Sequence, residues 1–392
     1  GDFKIDKTPV LGDPFDTELL LELSKSNILA LVCDSTNVFS KTPGRSEASL
    51  SQDITKLMKS QKGIVVATTF ASNVARLLTL AECAVSAGRS TLVLGRAMHS
   101  MLSMAASTNL LSNFPSTVTI EEALNIPREN LFILATGSQG ESRAASAQLA
   151  HDQYLDVVLQ KGDCFLFSSK TIPGNEVAVS RIINNFAERE ITVIDDQSGK
   201  YHVSGHANRP DLITLHHIFN PKVIIPMHGE LRHLAEHKKL AESEGFSSII
   251  VKNGDVIQIS ADGNTKLIER VASGRIYYDG GKLFDASNGT IKTRLQMAAR
   301  GHISVSLLFE NDLLLKNGIW VKSKGLPESA DNELQIELLL EDSLEMELLS
   351  VGEHDSRDDD KLEGIVKRVC NKVCQKNIGR KPIITTFINR IS

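Results

Sequence analysis

Residues 202–230 read HVSGHANRPDLITLHHIFNPKVIIPMHGE. Within it, DLITLHHIFN (211–220) has the apolar spacing of a helix, and KVIIPM (222–227) reads as a short buried strand. His206 then leaves a glycine-preceded turn, His202 opens that turn, and His228 sits just past a strand end. In α/β sheets, ligands bind outside the carboxyl ends of strands. Histidine is the commonest metal ligand and titrates near neutral pH. Three ordinary loop histidines would show the same spacing, so both readings stay open on this stretch alone.

Upstream, NILALVCD (27–34) is an apolar run that ends in Asp34, followed by Ser35, Thr36 and Asn37. Asp34 is either a metal or catalytic carboxylate at a strand end or the cap of the following turn. From Ser46 to Lys59 a helical pattern is expected. GIVVATTF (63–70), STLVLG (90–95), LFILATGSQGE (131–141), DCFLFSSKTIPGNE (163–176) and ITVID (191–195) each begin or form an apolar strand. Helical patterns at 72–88, 101–111 and 176–188 alternate with them, which predicts a largely parallel sheet covered by helices.

Two polar turns leave these strands, Thr136–Glu141 and Ser168–Glu176. Small residues there let backbone N–H groups approach an anion, and a plain turn is an equally good reading of each. Neither is GxGxxG, GxxxxGK[ST] or GxSxG, so neither a standard nucleotide loop nor a serine-hydrolase elbow is supported.

Past His228, ELRHLAEHKKLAESEG (230–245) reads as a helix. His233 and His237 lie four apart on it, but Leu-Ala-Glu stands between them rather than the Glu-x-x of HExxH, so both read as solvated. Strands are expected at SSIIV (247–251), DVIQIS (255–260) and TKLIER (265–270), and a linker within 271–300. Beyond it, ISVSLLF (303–309), GIWVKS (318–323), LQIELLL (334–340) and RKPIITTFI (380–388) read as strands, and 362–379 as an amphipathic helix. The acidic run 353–360 reads as a solvated loop. From 361 to 392 there are eight Lys/Arg against one acidic residue, Glu363; a solvated helix face explains that better than a nucleic-acid surface.

The 392 residues are enough for two or three domains. Hydrophobic residues at 41% and charged residues at 23% fit a globular protein. No apolar run reaches the length of a membrane span, and no signal-peptide pattern opens the chain. Five scattered cysteines without a CxxC pair predict a reducing, cytoplasmic setting and no thiolate zinc site. A net charge of −5 gives no global nucleic-acid signature, so any polyanion must bind in a local cleft.

GDFKID-TPV (1–10), CDSTN (33–37), TTFASNVAR (68–76), ATGSQGE (135–141), SSKTIPGNE (168–176), HVSGHA (202–207), PMHGE (226–230) and GRKPII (379–384) together resemble the ribonuclease J family. This is a bacterial group in the β-CASP branch of the metallo-β-lactamase fold, and the match covers nearly the whole chain. The resemblance implies an α/β protein: a partial metallo-β-lactamase domain (1–46 and 210–287), an inserted β-CASP domain with a parallel sheet flanked by helices (47–209), a linker (288–299), and a small C-terminal α/β domain (300–392). It implies that Asp34 and His228 are metal ligands and that Asp34 and His206 are catalytic. Ser138, Gln139, His202, Ser204, Gly205 and His206 would hold the RNA 5′-phosphate or backbone.

The implied cofactors are two divalent ions, zinc first, with manganese or magnesium as alternatives. The implied substrate is single-stranded RNA with a 5′-monophosphate, cut 5′ to 3′ and endonucleolytically. A homodimer or homotetramer through the C-terminal region is implied, and no membrane partner. The family's HxHxDH motif occurs nowhere in the sequence. The resemblance places that motif upstream of the Gly1–Phe3 segment, with a further histidine ligand just before it. Since zinc sites need three or four protein ligands, this chain is expected to bind metal weakly and to be inactive alone. Aromatic residues are 5% of the chain, so backbone contacts should dominate over base stacking. Two rivals remain: a non-catalytic RNA-binding or scaffolding subunit of an RNA-decay complex, and a metallo-hydrolase for small substrates.

Overall fold

The computed structural model describes residues 1–111, 113–152, 154–285, 289–328, 335–352 and 354–391. Two compact units divide the chain, Gly1–Val271 and Ala272–Ser392.

The first unit holds strands β1 (Ala30–Asp34), β2 (Val65–Thr68), β3 (Ser90–Leu94), β4 (Thr117–Val118), β5 (Leu131–Ala135), β6 (Cys164–Phe167), β7 (Thr192–Ile194), β8 (Val223–Met227), β9 (Asp255–Ile259) and β10 (Thr265–Arg270). Its helices are α1 (Thr17–Ser24), α2 (Ser51–Ser60), α3 (Val74–Ser86), α4 (Arg96–Ser107), α5 (Ile120–Ala123), α6 (Ala145–Ala150), α7 (Glu176–Glu188), α8 (Arg209–Phe219) and α9 (Leu231–Ser243). Six strands form one parallel sheet in the order β4-β3-β5-β2-β6-β7. Their near-continuous apolar sequences follow from burial on both faces. The period of two sorts the side chains: Val66, Ile133 and Phe165 join the core under α6 and α7, while Val65, Phe132 and Leu166 join the core under α2 and α3. Arg89 is buried and has no carboxylate partner among the described residues; its guanidinium donates to the carbonyls of Met58, Gln61, Gly63 and Leu131.

A second, two-stranded parallel pair positions the histidines. β1 and β8 run in register from Ala30↔Val223 to Asp34↔Met227, and α8 and α9 pack nearby through Leu212, Leu215 and Leu240. The α8 helix starts where it does because Asn208 and Asp211 form a capping box with Pro210 in the first turn. It stops at Asn220, whose left-handed φ of +45° is followed by Pro221.

The second unit holds the hairpin β11 (Ile276–Asp279) and β12 (Lys282–Asp285), helix α10 (Thr290–Arg300), strands β13 (His302–Glu310), β14 (Leu313–Lys324) and β15 (Ile383–Ile391), and helices α11 (Ile336–Leu348) and α12 (Asp359–Ile378). The sheet order is β14-β13-β15, with β13 antiparallel to β14 and parallel to β15. Both long helices cover one face.

Several sequence expectations are corrected. LQIELLL is not a strand: Ile336, Leu340, Leu344 and Leu348 lie buried on one stripe of α11, while Leu334 falls outside the described residues. A short apolar run has no periodicity that separates strand from helix. SSIIV makes only an isolated bridge, Ile224↔Ser248. The stretch expected to be a linker, 288–299, is helix α10 from Thr290 onward, with Asn288 outside the described residues. Of the acidic run, Glu353 is likewise outside, and Asp359 already begins α12. No helix among the described residues is long and apolar enough to cross a membrane.

Candidate metal and phosphate site

Because β1 and β8 are parallel and in register, Asp34 and His228 emerge side by side at their carboxyl ends. His228 takes a left-handed φ of +61°, a conformation that costs a non-glycine residue free energy and is often stored at functional positions. Its Nδ1 lies 2.7 Å from Asp2 Oδ1 and 3.6 Å from Asp34 Oδ1. His206 approaches the same carboxylate from the turn before α8, its Nδ1 2.5 Å from Asp34 Oδ2.

That turn is fastened by the residues after Asp34. Asn37 Nδ2 donates to Ser204 Oγ (2.8 Å) and to the His206 carbonyl (3.2 Å), and the His206 N–H donates to Ser204 Oγ (3.1 Å). Thr36 donates to Asp34 Oδ1 through its N–H (2.9 Å) and its hydroxyl (2.7 Å). Asp34 is 1% exposed. Burial opposes its ionisation, but the Thr36 bonds and the His206 ring outweigh burial and hold the carboxyl below the usual aspartate value. Around Gly205 the turn is open: a Cβ there would meet nothing within 4 Å.

Asp2, Asp34 and His228 offer ligand atoms within 4.8 Å of one another. Two carboxylates and an imidazole are donors that zinc and manganese both accept, so the residues present fit one divalent ion. Asp2 was missed from sequence because it lies in no periodic element and its neighbours in the centre, Asp34 and His228, are far along the chain.

His202 sits apart from this group, against Arg76. Burial, and next the Arg76 charge, push its pKa down to about 4, so the ring stays neutral. Arg76 is fully buried. It ion-pairs with Glu47 and donates to the Ser168 carbonyl (2.6 Å) and hydroxyl (3.1 Å), with Nη1 3.3 Å from His202 Nδ1. Sequence reasoning did not single out Arg76, since nothing in TTFASNVAR marks its arginine as buried.

Ser138 and Gln139 are buried on the turn after β5 and make no hydrogen bond to Asp34, His206 or His228 among the described residues. The Gln139 amide instead braces the turn after β6, donating to the Lys170 carbonyl and accepting from the Ile172 N–H and Asn175 Nδ2.

His237 is not solvated, contrary to the sequence reading. It is fully buried, because it shares the core-facing stripe of α9 with Leu240 and Ala241; that spacing was the signal available. Its Nδ1 lies 2.8 Å from Ser35 Oγ, and its Nε2 3.0 Å from His216 Nε2. Burial pushes the two rings down to about 4 and about 3. Cys33 joins them within 4.8 Å, but its thiol is pushed up to about 12 by burial. With both rings already bonded to each other and the thiol protonated, the cluster reads as a packed support beneath the Asp34–Ser35 strand end. His233 is half-buried at the start of α9, where its Nδ1 accepts the Glu230 N–H.

Three family descriptions match consecutive stretches of the chain: a ribonuclease J β-CASP domain over 62–186, a Zn-dependent metallo-hydrolase RNA specificity domain over 198–251, and a ribonuclease J C-terminal domain over 289–391. Together with the parallel sheet flanked by helices, these matches define a protein of the β-CASP class. Similar curated proteins include ribonuclease J of Sinorhizobium meliloti, 34% identical over 100% of this chain and 69% of that protein. Ribonuclease J 1 of Streptococcus pyogenes is 33% identical over 84% of this chain and 60% of its own length, and ribonuclease J of Synechocystis 34% over 78% and 48%. The chain belongs to the ribonuclease J family.

Proposed function

We propose that the chain supplies the Asp34–His206–His228 part of a metal-dependent ribonuclease that processes 5′-monophosphorylated single-stranded RNA, as a 5′-to-3′ exonuclease and an endonuclease. The observation that carries this reading is the convergence of those three side chains at the ends of β1 and β8, with His206 Nδ1 2.5 Å from Asp34. Asp34 and His228, with Asp2, would hold a divalent ion, zinc by first choice and manganese or magnesium as alternatives. Such ions, when bound, supply a hydroxide nucleophile at neutral pH and neutralise phosphate charge.

The protein's own groups do the rest. Asp34 fixes the His206 ring through Nδ1, which leaves Nε2 for the substrate. In its protonated form, that nitrogen either donates to a non-bridging phosphate oxygen or delivers its proton to the leaving oxygen. The HVSGH turn, open at Gly205, gives the phosphate room to approach. His202, Ser204, Ser138 and Gln139 line or support the path of the RNA backbone. Three ligand residues suffice for one ion at most, so hydrolysis is assigned to a chain that also carries the family's HxHxDH motif, and these 392 residues alone are inactive. Assembly as a dimer or tetramer through the second unit, in the cytoplasm, completes the reading.

Cleavage of 5′-monophosphorylated RNA by such a chain, compared with its His206→Ala and His228→Ala variants, tests the assignment. Zinc-dependent RNase activity from the 392 residues alone would contradict the incomplete-site reading.

A further inference from the structure

The six-stranded sheet has a second opening at its carboxyl edge. α3 and α4, which follow β2 and β3, bury Leu77, Leu80 and Met98 in one core; α6 and α7, which follow β5 and β6, bury Leu149, Ile182 and Phe186 in the other. β3 and β5 are neighbours, so adjacent strands send their connections to opposite faces. That is a topological switch point, where open α/β sheets form ligand crevices. Here it is a cleft of about 630 Å³ between the start of α4 and the Thr136–Ala145 segment.

Its lining is suited to a phosphate chain. Arg96 and Arg143 line it, both are exposed, and neither guanidinium has a hydrogen-bond or ion-pair partner among the described residues. By contrast Arg76, Arg128, Arg189 and Arg209 each pair with a carboxylate. One carboxylate, Glu141, lines the cleft and accepts the Gln139 N–H; two guanidiniums against it leave the lining net positive. Gly95 and Gly137 keep the floor low, and Tyr154 offers one aromatic wall. The Thr136–Glu141 turn walls this cleft through Gly137 and Glu141 and also carries Ser138 and Gln139.

We propose that this cleft is a second anchoring site for the sugar–phosphate backbone of single-stranded RNA, with Arg96 and Arg143 each taking a phosphate. Guanidinium forks match phosphate oxygens in geometry and charge. The inference rests on the reading that the Asp34–His206–His228 centre handles RNA, and adds where a longer strand is held. A short RNA reaches only the centre; a longer one also fills the cleft.

The test measures affinity of the full chain for 5′-monophosphorylated RNAs of about 4 and about 16 nucleotides, a span typical of single-strand sites. Arg96→Gln/Arg143→Gln should bind the long RNA about tenfold more weakly, equivalent to roughly 1.4 kcal/mol over two charge-assisted contacts. Its affinity for the short RNA should be unchanged. The slope of log affinity against log salt for the long RNA should fall by about 1.4, two phosphates at about 0.7 each. An unaltered thermal melt would show the double variant folded. Unchanged long-RNA affinity and slope would overturn the cleft assignment while leaving the centre intact. Equal weakening of the short RNA, or of a free nucleoside monophosphate, would overturn the polymer assignment. Wild-type protein that binds neither RNA would overturn both this inference and the functional reading beneath it.

Discussion

Arg76→Met removes a buried charge whose surroundings fix the expected cost. The guanidinium is fully buried and bonds to both Glu47 oxygens, the Ser168 carbonyl and the Ser168 hydroxyl. The substitution leaves the Glu47 carboxylate, 10% exposed, without its counter-ion. Removing one partner of a buried pair costs about 3–5 kcal/mol, and the stranded Ser168 carbonyl works in the same direction. Taking about 4 kcal/mol against a typical stability of about 5–15 kcal/mol, the variant should lose a large share of its stability and melt roughly 10 °C lower. Urea unfolding followed by circular dichroism would read this as a lower midpoint at unchanged slope. Arg76→Met/Glu47→Leu should recover most of the loss, since apolar replacement of a whole buried pair is often neutral. A single variant that loses under about 1 kcal/mol, or a double variant as unstable as the single, would refute the reasoning.

Acid should weaken the fold before ordinary carboxylates titrate. His202, His216 and His237 are pushed down to about 4, 3 and 4 from 6.5, so as pH falls below 6.5 the unfolded chain takes up protons that the folded chain refuses. Stability is then full above pH 6.5 and is lost toward pH 4, with a slope of up to about 1.4 kcal/mol per pH unit for each histidine. Urea midpoints at pH 7, 6 and 5 should fall in order, and more shallowly for His216→Leu/His237→Leu; a flat series would contradict the burial of the rings. Gly140→Ala should destabilise by about 1–3 kcal/mol, because φ is +77° and a Cβ would lie 2.5 Å from the Ala178 backbone. Gly205→Ala, facing open space, should leave the melting temperature unchanged, and equal melts for the two variants would count against this geometry.

The parallel sheet was legible because buried strands are apolar throughout and their helices carry a clear 3.6-residue period, as in VARLLTLAECAVS of α3. α11 was not: LQIELLL is too short an apolar run to show a period, and only Leu344 and Leu348 beyond it complete the stripe. At the site, position at strand and turn ends marked Asp34, His206 and His228 only as candidates, beside loop and capping readings, and their roles came from the family resemblance. Arg76 and His237 were not so marked, since burial of a polar side chain depends on partners far along the chain, here Glu47 and Ser35. Asp2 reaches His228 only through the fold, from more than two hundred residues away in sequence.

The central claim is that Asp34, His206 and His228 form one working centre. Cleavage of 5′-monophosphorylated RNA, measured in a chain carrying the family's HxHxDH motif, tests it most directly when wild type is compared with His206→Ala and His228→Ala. The account predicts that both variants fold and bind RNA but no longer cut it, and that His228→Ala also binds less divalent metal by direct metal analysis. Undiminished cleavage and full metal content in His228→Ala would contradict it.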